Sequence, residues 1–231
     1  MAVVVVTGAN KGIGLALCRA LHARGDEVIG VCRRSNAALG AAATRVVEHI
    51  DLEDEPCGER LSSALGDASV DLMIHNAGLY ASQPLERLDF AQMQREYAVN
   101  ALGPLRLTQA CLPKLRDGGK LVFISSRAGS LADNRSGDYY GYRMSKAALN
   151  MAALSLSHDL RGRGIAVLVL HPGVVWTDML RGAYKGVERE VRGVTIAEPD
   201  VAATELVARI DELDLAGSGR FLHRDGRPIP W

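Results

Sequence analysis

Four successive valines, Val3 to Val6, run directly into Thr7-Gly8-Ala9-Asn10-Lys11-Gly12-Ile13-Gly14, and Leu15 to Arg24 behind them has the makeup of a helix. A continuous β-branched run without alternation reads as a strand covered on both faces. A glycine-rich turn placed between such a strand and a helix belongs to a β-α-β unit. Short apolar runs recur at Glu27 to Cys32, Arg45 to Ile50, Val70 to His75, Gly119 to Ser125, Ile165 to His171 and Gly219 to His223, with helix-like segments between them. That alternation implies parallel strands joined by right-handed crossovers. The expected fold class is therefore α/β: a doubly wound sheet of about seven parallel strands with helices on both faces.

A length of 231 residues suits one large domain over 1–231, and no Pro-, Ser- or Gly-rich stretch divides it. The weakly apolar, charge-rich segment 178–198 follows a predicted strand end and is expected to form a substrate lid. Lys plus Arg and Asp plus Glu total 27 each, so no net field draws the chain to nucleic acid or an anionic membrane. Cys18, Cys32, Cys57 and Cys111 are widely spaced with no Cys-x-x-Cys pair, which fits a reduced cytoplasmic compartment and no metal site. Cys32 and Cys111 read as small core residues. His75 and His171, at predicted strand ends, read as packing residues because no carboxylate or thiol stands at ligand spacing. The apolar stretch at the N-terminus is too short to span a bilayer.

The glycine-rich turn predicts an anion site. Gly8 permits a sharp turn, Gly12 lets backbone amides approach a phosphate, and the helix N-terminus offers unpaired N–H groups with positive partial charge. The spacing, glycine, three residues, glycine, one residue, glycine, differs from the usual dinucleotide pattern and resembles that of the short-chain dehydrogenases/reductases. Further motifs occur in that family's order. They are Asp51-Leu52 after the third strand, Asn76-Ala77-Gly78 after the fourth, Asn100 in the next helix, Ser126 after the fifth strand, Tyr142-x-x-x-Lys146, and Pro172-Gly173-Val174-Val175-Trp176-Thr177 after the sixth. The loop before Tyr142 and the ending Gly219 to Trp231 are similar to a narrower branch, the bacterial C-factor and carbonyl-reductase group.

The resemblance implies a Rossmann-type fold and a nicotinamide dinucleotide held by Gly8, Asn10, Lys11, Gly12, Ile13 and Gly14 in the turn. Asp51, Leu52, Asn76, Ala77, Gly78, Tyr142, Lys146, Pro172, Gly173, Val175 and Thr177 are implied as the remaining contacts. The sequence adds a preference for NADP(H). No acidic residue ends the second strand; Arg33 and Arg34 stand there instead, with Lys11 at the same corner. Arginine suits a 2′-phosphate through paired donors, whereas NAD-specific proteins place a carboxylate on the ribose hydroxyl.

Residues four apart on a helix share a face, so Tyr142 and Lys146 can address one bound molecule. Tyrosine ordinarily ionises near about 10, and a nearby ammonium favours its phenolate. Tyr142 is thus expected to protonate a carbonyl oxygen as hydride arrives at the carbon, while Ser126 steadies the same oxygen. Ser125 is the rival to Ser126; the family pattern selects the second serine. Lys146 is expected to lower the Tyr142 pKa and bind the nicotinamide ribose. The resemblance further implies that Asn100 holds a water linking Lys146 to solvent, within a distorted helix.

The function this implies is an NADPH-dependent oxidoreductase acting on a small-molecule carbonyl, or the corresponding alcohol, with no nucleic-acid or membrane partner. A dinucleotide-binding signalling or sensor protein is the alternative, disfavoured by the intact Ser126, Tyr142 and Lys146. The substrate pocket is expected to be largely apolar, lined from Leu79, Tyr80, Leu131, Tyr140, Trp176, Met179 and Tyr184. Between Ser126 and Tyr142 the loop through Asp133, Asn134 and Arg135 is longer than most family members use. Broad apolar faces on the helices Asn100 to Leu115 and Tyr142 to Leu160 predict a homodimer or homotetramer.

Overall fold

The computed structural model describes residues 1–183, 190–191 and 194–231. Its main sheet contains β1 (Val3–Thr7), β2 (Glu27–Val31), β3 (Arg45–Val47), β4 (Val70–His75), β5 (Leu115–Ile124), β6 (Ala166–His171) and β9 (Arg220–His223). All neighbouring pairs are parallel, in the order β3-β2-β1-β4-β5-β6-β9. A separate short antiparallel pair joins β7 (Glu190–Val191) and β8 (Val194–Thr195). The order reverses between β1 and β4, and a crevice for a ligand opens at the carboxyl ends of strands on either side of such a point.

The uninterrupted valines have a direct structural cause. Val4 and Val6 pack on one face of the sheet with Leu17 and Leu21 of α1 (Gly12–Ala23) and Leu206 of α8 (Pro199–Asp211). Val5 faces the other way, onto the layer that holds Leu61 of α3 (Cys57–Leu65), Leu107 of α5 (Gly103–Cys111) and Leu149 of α6 (Tyr140–Asp159). Removing a fully buried leucine such as Leu107 would cost about 2–5 kcal/mol. The two remaining helices before β5 are α2 (Ala37–Ala42) and α4 (Phe90–Tyr97), and α7 (Asp178–Ala183) follows β6.

Several expected boundaries move. β3 stops at Val47 instead of running to Ile50, and His49 turns through a left-handed φ of 61°. β5 begins at Leu115, with its register to β4 shifting between Val70 and Leu72. The helix expected over Asn100 to Leu115 is three pieces: a π-helical turn Ala98–Leu102, then α5, then a 3-10 turn Leu112–Lys114. Pro113, which lacks a donor for the helical ladder, falls in that last turn.

Segment 178–198 is described only in part. Its ends are joined, since Trp176 N donates to Ala197 O at 2.9 Å and Ala197 N to Val174 O at 3.0 Å. Residues 184–189 and 192–193, and with them Tyr184 and the middle of the expected lid, lie outside the described residues. Among the described residues no helix is long and apolar enough to cross a membrane.

Candidate active site

The turn after β1 is shaped by residues that only glycine can replace. Gly8 has φ +65°, and a Cβ there would stand 2.8 Å from Ala77 Cα; a Cβ on Gly14 would collide with Gly8 O. Thr7 Oγ1 accepts from Asn76 N at 3.0 Å and Ala77 N at 3.1 Å, and Asn76 Nδ2 donates to Thr7 O at 2.9 Å. The first and fourth strand ends are thereby locked together. Lys11, in extended backbone before α1, provides no side-chain cap, and the first turn carries no acid. Its amides are accordingly available to an anion. A Cβ on Gly12 would lie 3.2 Å from Thr177 Cγ2, so the segment Pro172–Thr177 closes in opposite the turn. These residues fit a dinucleotide phosphate.

At the neighbouring corner, Asn10 Nδ2 donates to Arg34 O at 3.0 Å and Asn36 Nδ2 donates to Asn10 O at 2.7 Å. Both arginines are exposed, but the corner is not purely basic. Arg33 lies 3.6 Å from Asp51, Lys11 lies 3.5 Å from Asp178, and Glu48 accepts from Ser35 N at 2.5 Å. No carboxylate stands at the end of β2 itself; Glu48 reaches that place from the end of β3. Leu52 is buried, and a Cβ on Gly103 would meet its side chain.

Ser126 follows β5 in extended backbone, and its Oγ accepts from Ala128 N at 3.1 Å. The Tyr142 hydroxyl lies within hydrogen-bonding reach of Ser126. Ser125 is engaged elsewhere, donating to Asn150 Oδ1 at 2.7 Å in the interior. Lys146, one turn after Tyr142, is buried and donates to Ile124 O at 3.0 Å, with Nζ 5.8 Å from the Tyr142 ring centroid. Burial lowers its pKa to about 8.

The half-buried Tyr142 differs from the expectation. Burial pushes its pKa up to about 12, Ser126 opposes that, and the carboxylate of Glu96 adds to it. The Lys146 ammonium donates to the Ile124 carbonyl and not to the Tyr142 hydroxyl.

Asn100 is wholly buried in the π-helical turn. Its Oδ1 accepts from Leu79 N at 2.7 Å, and Nδ2 donates to Leu79 O at 2.8 Å and Ser145 Oγ at 2.9 Å. Both amide hydrogens are therefore committed to protein, clamping the chain after Gly78 against α6. A Cβ on Gly78 would lie 3.4 Å from Asn100 Oδ1 and 3.7 Å from Lys146 Nζ, which ties the three positions together.

Glu96, on α4, was not singled out by sequence reasoning. Its Oε1 accepts from Ala81 N at 2.7 Å, while the buried Oε2 has no hydrogen-bond partner and packs against Gly141. Burial raises its pKa from 4.5 to about 7.

Ser126, Tyr142, Ile13, Pro172, Gly173, Val175 and Thr177 line one cavity of about 620 Å3, a size suited to small-molecule ligands. The cavity surface is largely apolar, but its other walls correct the expected lining. Tyr80 and Met179 are there, but Leu79, Leu131, Tyr140 and Trp176 are not, and Arg127, Asp133, Arg135 and Arg143 are. Leu131 points outward, 80% exposed. His171 also lines the cavity, kept neutral by burial, which lowers its pKa to about 3. His75 lies inside instead, stacked on Phe123 and paired with Thr108 at 3.0 Å. All four cysteines are buried, and burial raises each thiol pKa.

The family described as short chain dehydrogenase matches residues 2–188. The chain belongs to that family. A 1-hydroxy-2-glutathionyl-2-methyl-3-butene dehydrogenase of Rhodococcus sp. is 40% identical over 233 residues, covering 100% of both chains. The C-signal protein of Myxococcus xanthus is 44% identical over 165 residues, 70% of this chain and 93% of that one. The NADPH-bound carbonyl reductase from chicken fatty liver superposes with a TM-score of 0.85 at 29% identity, covering 100% of this chain and 99% of the other. This short-chain dehydrogenase is an oxidoreductase by family, and the family binds a nicotinamide dinucleotide.

Proposed function

We propose that the protein is an NADPH-dependent oxidoreductase that interconverts a small carbonyl compound and its alcohol, with Tyr142 as the general acid and base. The observation that carries this reading is the Tyr142 hydroxyl beside Ser126, both on a cavity that also meets the Pro172–Thr177 wall of the glycine turn. The cofactor supplies or takes up hydride at the substrate carbon; the side chains handle the oxygen.

Burial keeps the Tyr142 phenol protonated at neutral pH, so reduction begins from a loaded proton donor. Ser126 hydrogen-bonds the substrate oxygen and steadies the charge developing on it. Lys146, still charged at neutral pH, holds the ribose hydroxyls and offsets the phenolate left once Tyr142 has given up its proton. Asn100 fixes the Gly78–Leu79 backbone beside Lys146. Arg33 and Arg34 support NADPH, with a 2′-phosphate preferred over the ribose hydroxyl; the neighbouring Glu48 and Asp51 moderate that preference.

The name of the Rhodococcus relative describes oxidation of an alcohol, the reverse direction on the same groups. The name of the Myxococcus relative supports a signalling role as a second reading. The two separate in one experiment: NADPH consumption by the purified protein across aldehydes, ketones and quinones, repeated with Tyr142→Phe and Lys146→Ala. Loss of nearly all turnover in Tyr142→Phe with cofactor affinity retained, and loss of both in Lys146→Ala, is the expected pattern. Turnover should also decline as pH rises through about 8, where Lys146 loses its proton. Substantial reductase activity in Tyr142→Phe would refute the mechanism.

A further inference from the structure

The end of the cavity formed by segment 127–143 is charged. Arg127, Arg135 and Arg143 line it with a single carboxylate, Asp133. Asp133 is already ion-paired with Arg127, and Arg135, 88% exposed, approaches it only to 3.9 Å. Arg143 donates to neutral acceptors: Asp138 O at 3.0 Å, Ser136 Oγ at 2.8 Å and Gly137 O at 3.4 Å. Carbonyl and hydroxyl oxygens orient a guanidinium without cancelling its charge. Of three positive groups at this end, one is therefore neutralised by Asp133, and an excess of two remains in a chain whose net charge is zero.

The backbone that places Arg143 is strained. Asp138 and Tyr139, neither of them glycine, take φ of 71° and 56° immediately before α6. Each such residue costs roughly 1–2 kcal/mol. This kink presents Asp138 O to Arg143 Nε and sets the guanidinium 6.0 Å from the Tyr139 ring centroid. Strain kept at a cavity wall, in the loop between Ser126 and Tyr142, suggests a binding purpose for that wall. Uncompensated positive charge in a cleft concentrates its field and favours an anion.

We propose that this end of the cavity recognises a carboxylate on the substrate, several bonds from the reacting carbon, with Arg143 and Arg135 as the specificity-determining residues. The inference rests on the oxidoreductase reading of the site and names its substrate class: carbonyl compounds or alcohols that carry an acid group. Arg143 directly follows Tyr142 in α6 and lines the same cavity, so one molecule can meet the proton donor and the guanidinium together. Arginine supplies the paired donors that a carboxylate accepts.

The test compares two aldehydes of similar shape, para-carboxybenzaldehyde and para-tolualdehyde, with NADPH. The parent protein should favour the acid by about tenfold or more in kcat/KM, through KM, with the advantage shrinking at high salt. In Arg143→Gln and in Arg135→Gln the acid-to-neutral ratio should fall toward one, and Arg143→Lys should recover part of it. Using the ratio protects the test against a general loss of activity should the loop shift in the Arg143 variants. A ratio near one in the parent, or an unchanged ratio in both Gln variants, would overturn the inference while turnover of the neutral aldehyde leaves the oxidoreductase reading standing. If neither aldehyde reacts, that reading is at fault, and calorimetry on the NADP-loaded protein decides the inference separately. Tighter binding of para-carboxybenzyl alcohol than of its methyl counterpart, lost in Arg143→Gln, would sustain it, and equal binding would end it.

Discussion

Replacing Glu96 by Gln should stabilise the protein, and the gain should depend on pH. The Glu96 side chain is wholly inaccessible, with one oxygen on the Ala81 amide and the other unpartnered. Its pKa is raised from 4.5 to about 7, chiefly by burial. Between those values the folded state holds a proton that the unfolded chain has released, so stability falls as pH climbs through the interval and the full penalty applies above about 7. At about 1.4 kcal/mol for each pKa unit, that penalty is about 3 kcal/mol at pH 8 and about 1 kcal/mol or less at pH 5. Glutamine keeps the acceptor for Ala81 N and cannot ionise. Urea unfolding of parent and Glu96→Gln at both pH values measures the difference. The Glu96 carboxylate also raises the Tyr142 pKa, so the variant should ease ionisation of the phenol while leaving the Lys146 limb near pH 8 in place. A stability difference that is the same at pH 5 and pH 8 would refute the account, whichever variant is the more stable.

At the cofactor corner, kcat/KM should favour NADPH over NADH; Arg34→Ala should lower that ratio by about tenfold and Glu48→Gln should raise it. Equal efficiency with both cofactors in the parent would dismiss the basic corner as a selector. Met144 and Met151 lie one heptad apart on α6, 60% and 64% exposed, with Leu105 of α5 39% exposed nearby in sequence to the buried Leu107. A stripe of that kind favours a partner copy, so light scattering at micromolar concentration should give a dimer or tetramer mass, and a monomer mass would remove the oligomer proposal.

What the sequence revealed and what it hid divide along one line. The strands were readable because parallel strands covered on both faces need apolar side chains in both directions, as Val4, Val5 and Val6 show. The glycine turn was readable because a backbone demand falls on particular positions, Gly8 and Gly14 above all. Contacts between distant segments left no local trace. Glu48 meets Ser35, and Glu96 meets Ala81 and Gly141, only once the sheet and helices are assembled. The pocket lining was legible only in part for the same reason, with Tyr80 and Met179 in it and Leu79, Leu131, Tyr140 and Trp176 outside it. Leu131 lies near the motifs yet points to solvent, while its neighbour Ser130 turns into the interior, donating to Pro230 O at 2.5 Å. The long loop through Asp133 and Arg135 stands out in the sequence as an insertion before Tyr142, but that its charges face the cavity shows only in the fold.

The π-helical turn at Ala98–Leu102 has a consequence for how this chain tolerates changes in length. Such a turn holds one residue more than the α-helices on either side need. Deleting a residue there would bring Phe90–Tyr97 and Gly103–Cys111 into one helical register, with Glu96 still facing α6 and Leu107 still facing the sheet, while Pro104 would still interrupt the backbone ladder. Almost anywhere else in those helices, losing one residue would rotate all that follows by roughly 100° and expose the core. The protein thus carries, in the middle of its interior, a place where a shorter chain would keep its core faces in register. The extra residue is what lets Asn100 reach the backbone of Leu79, so the irregularity has to be kept by the demands of the active site against the preference of the helix.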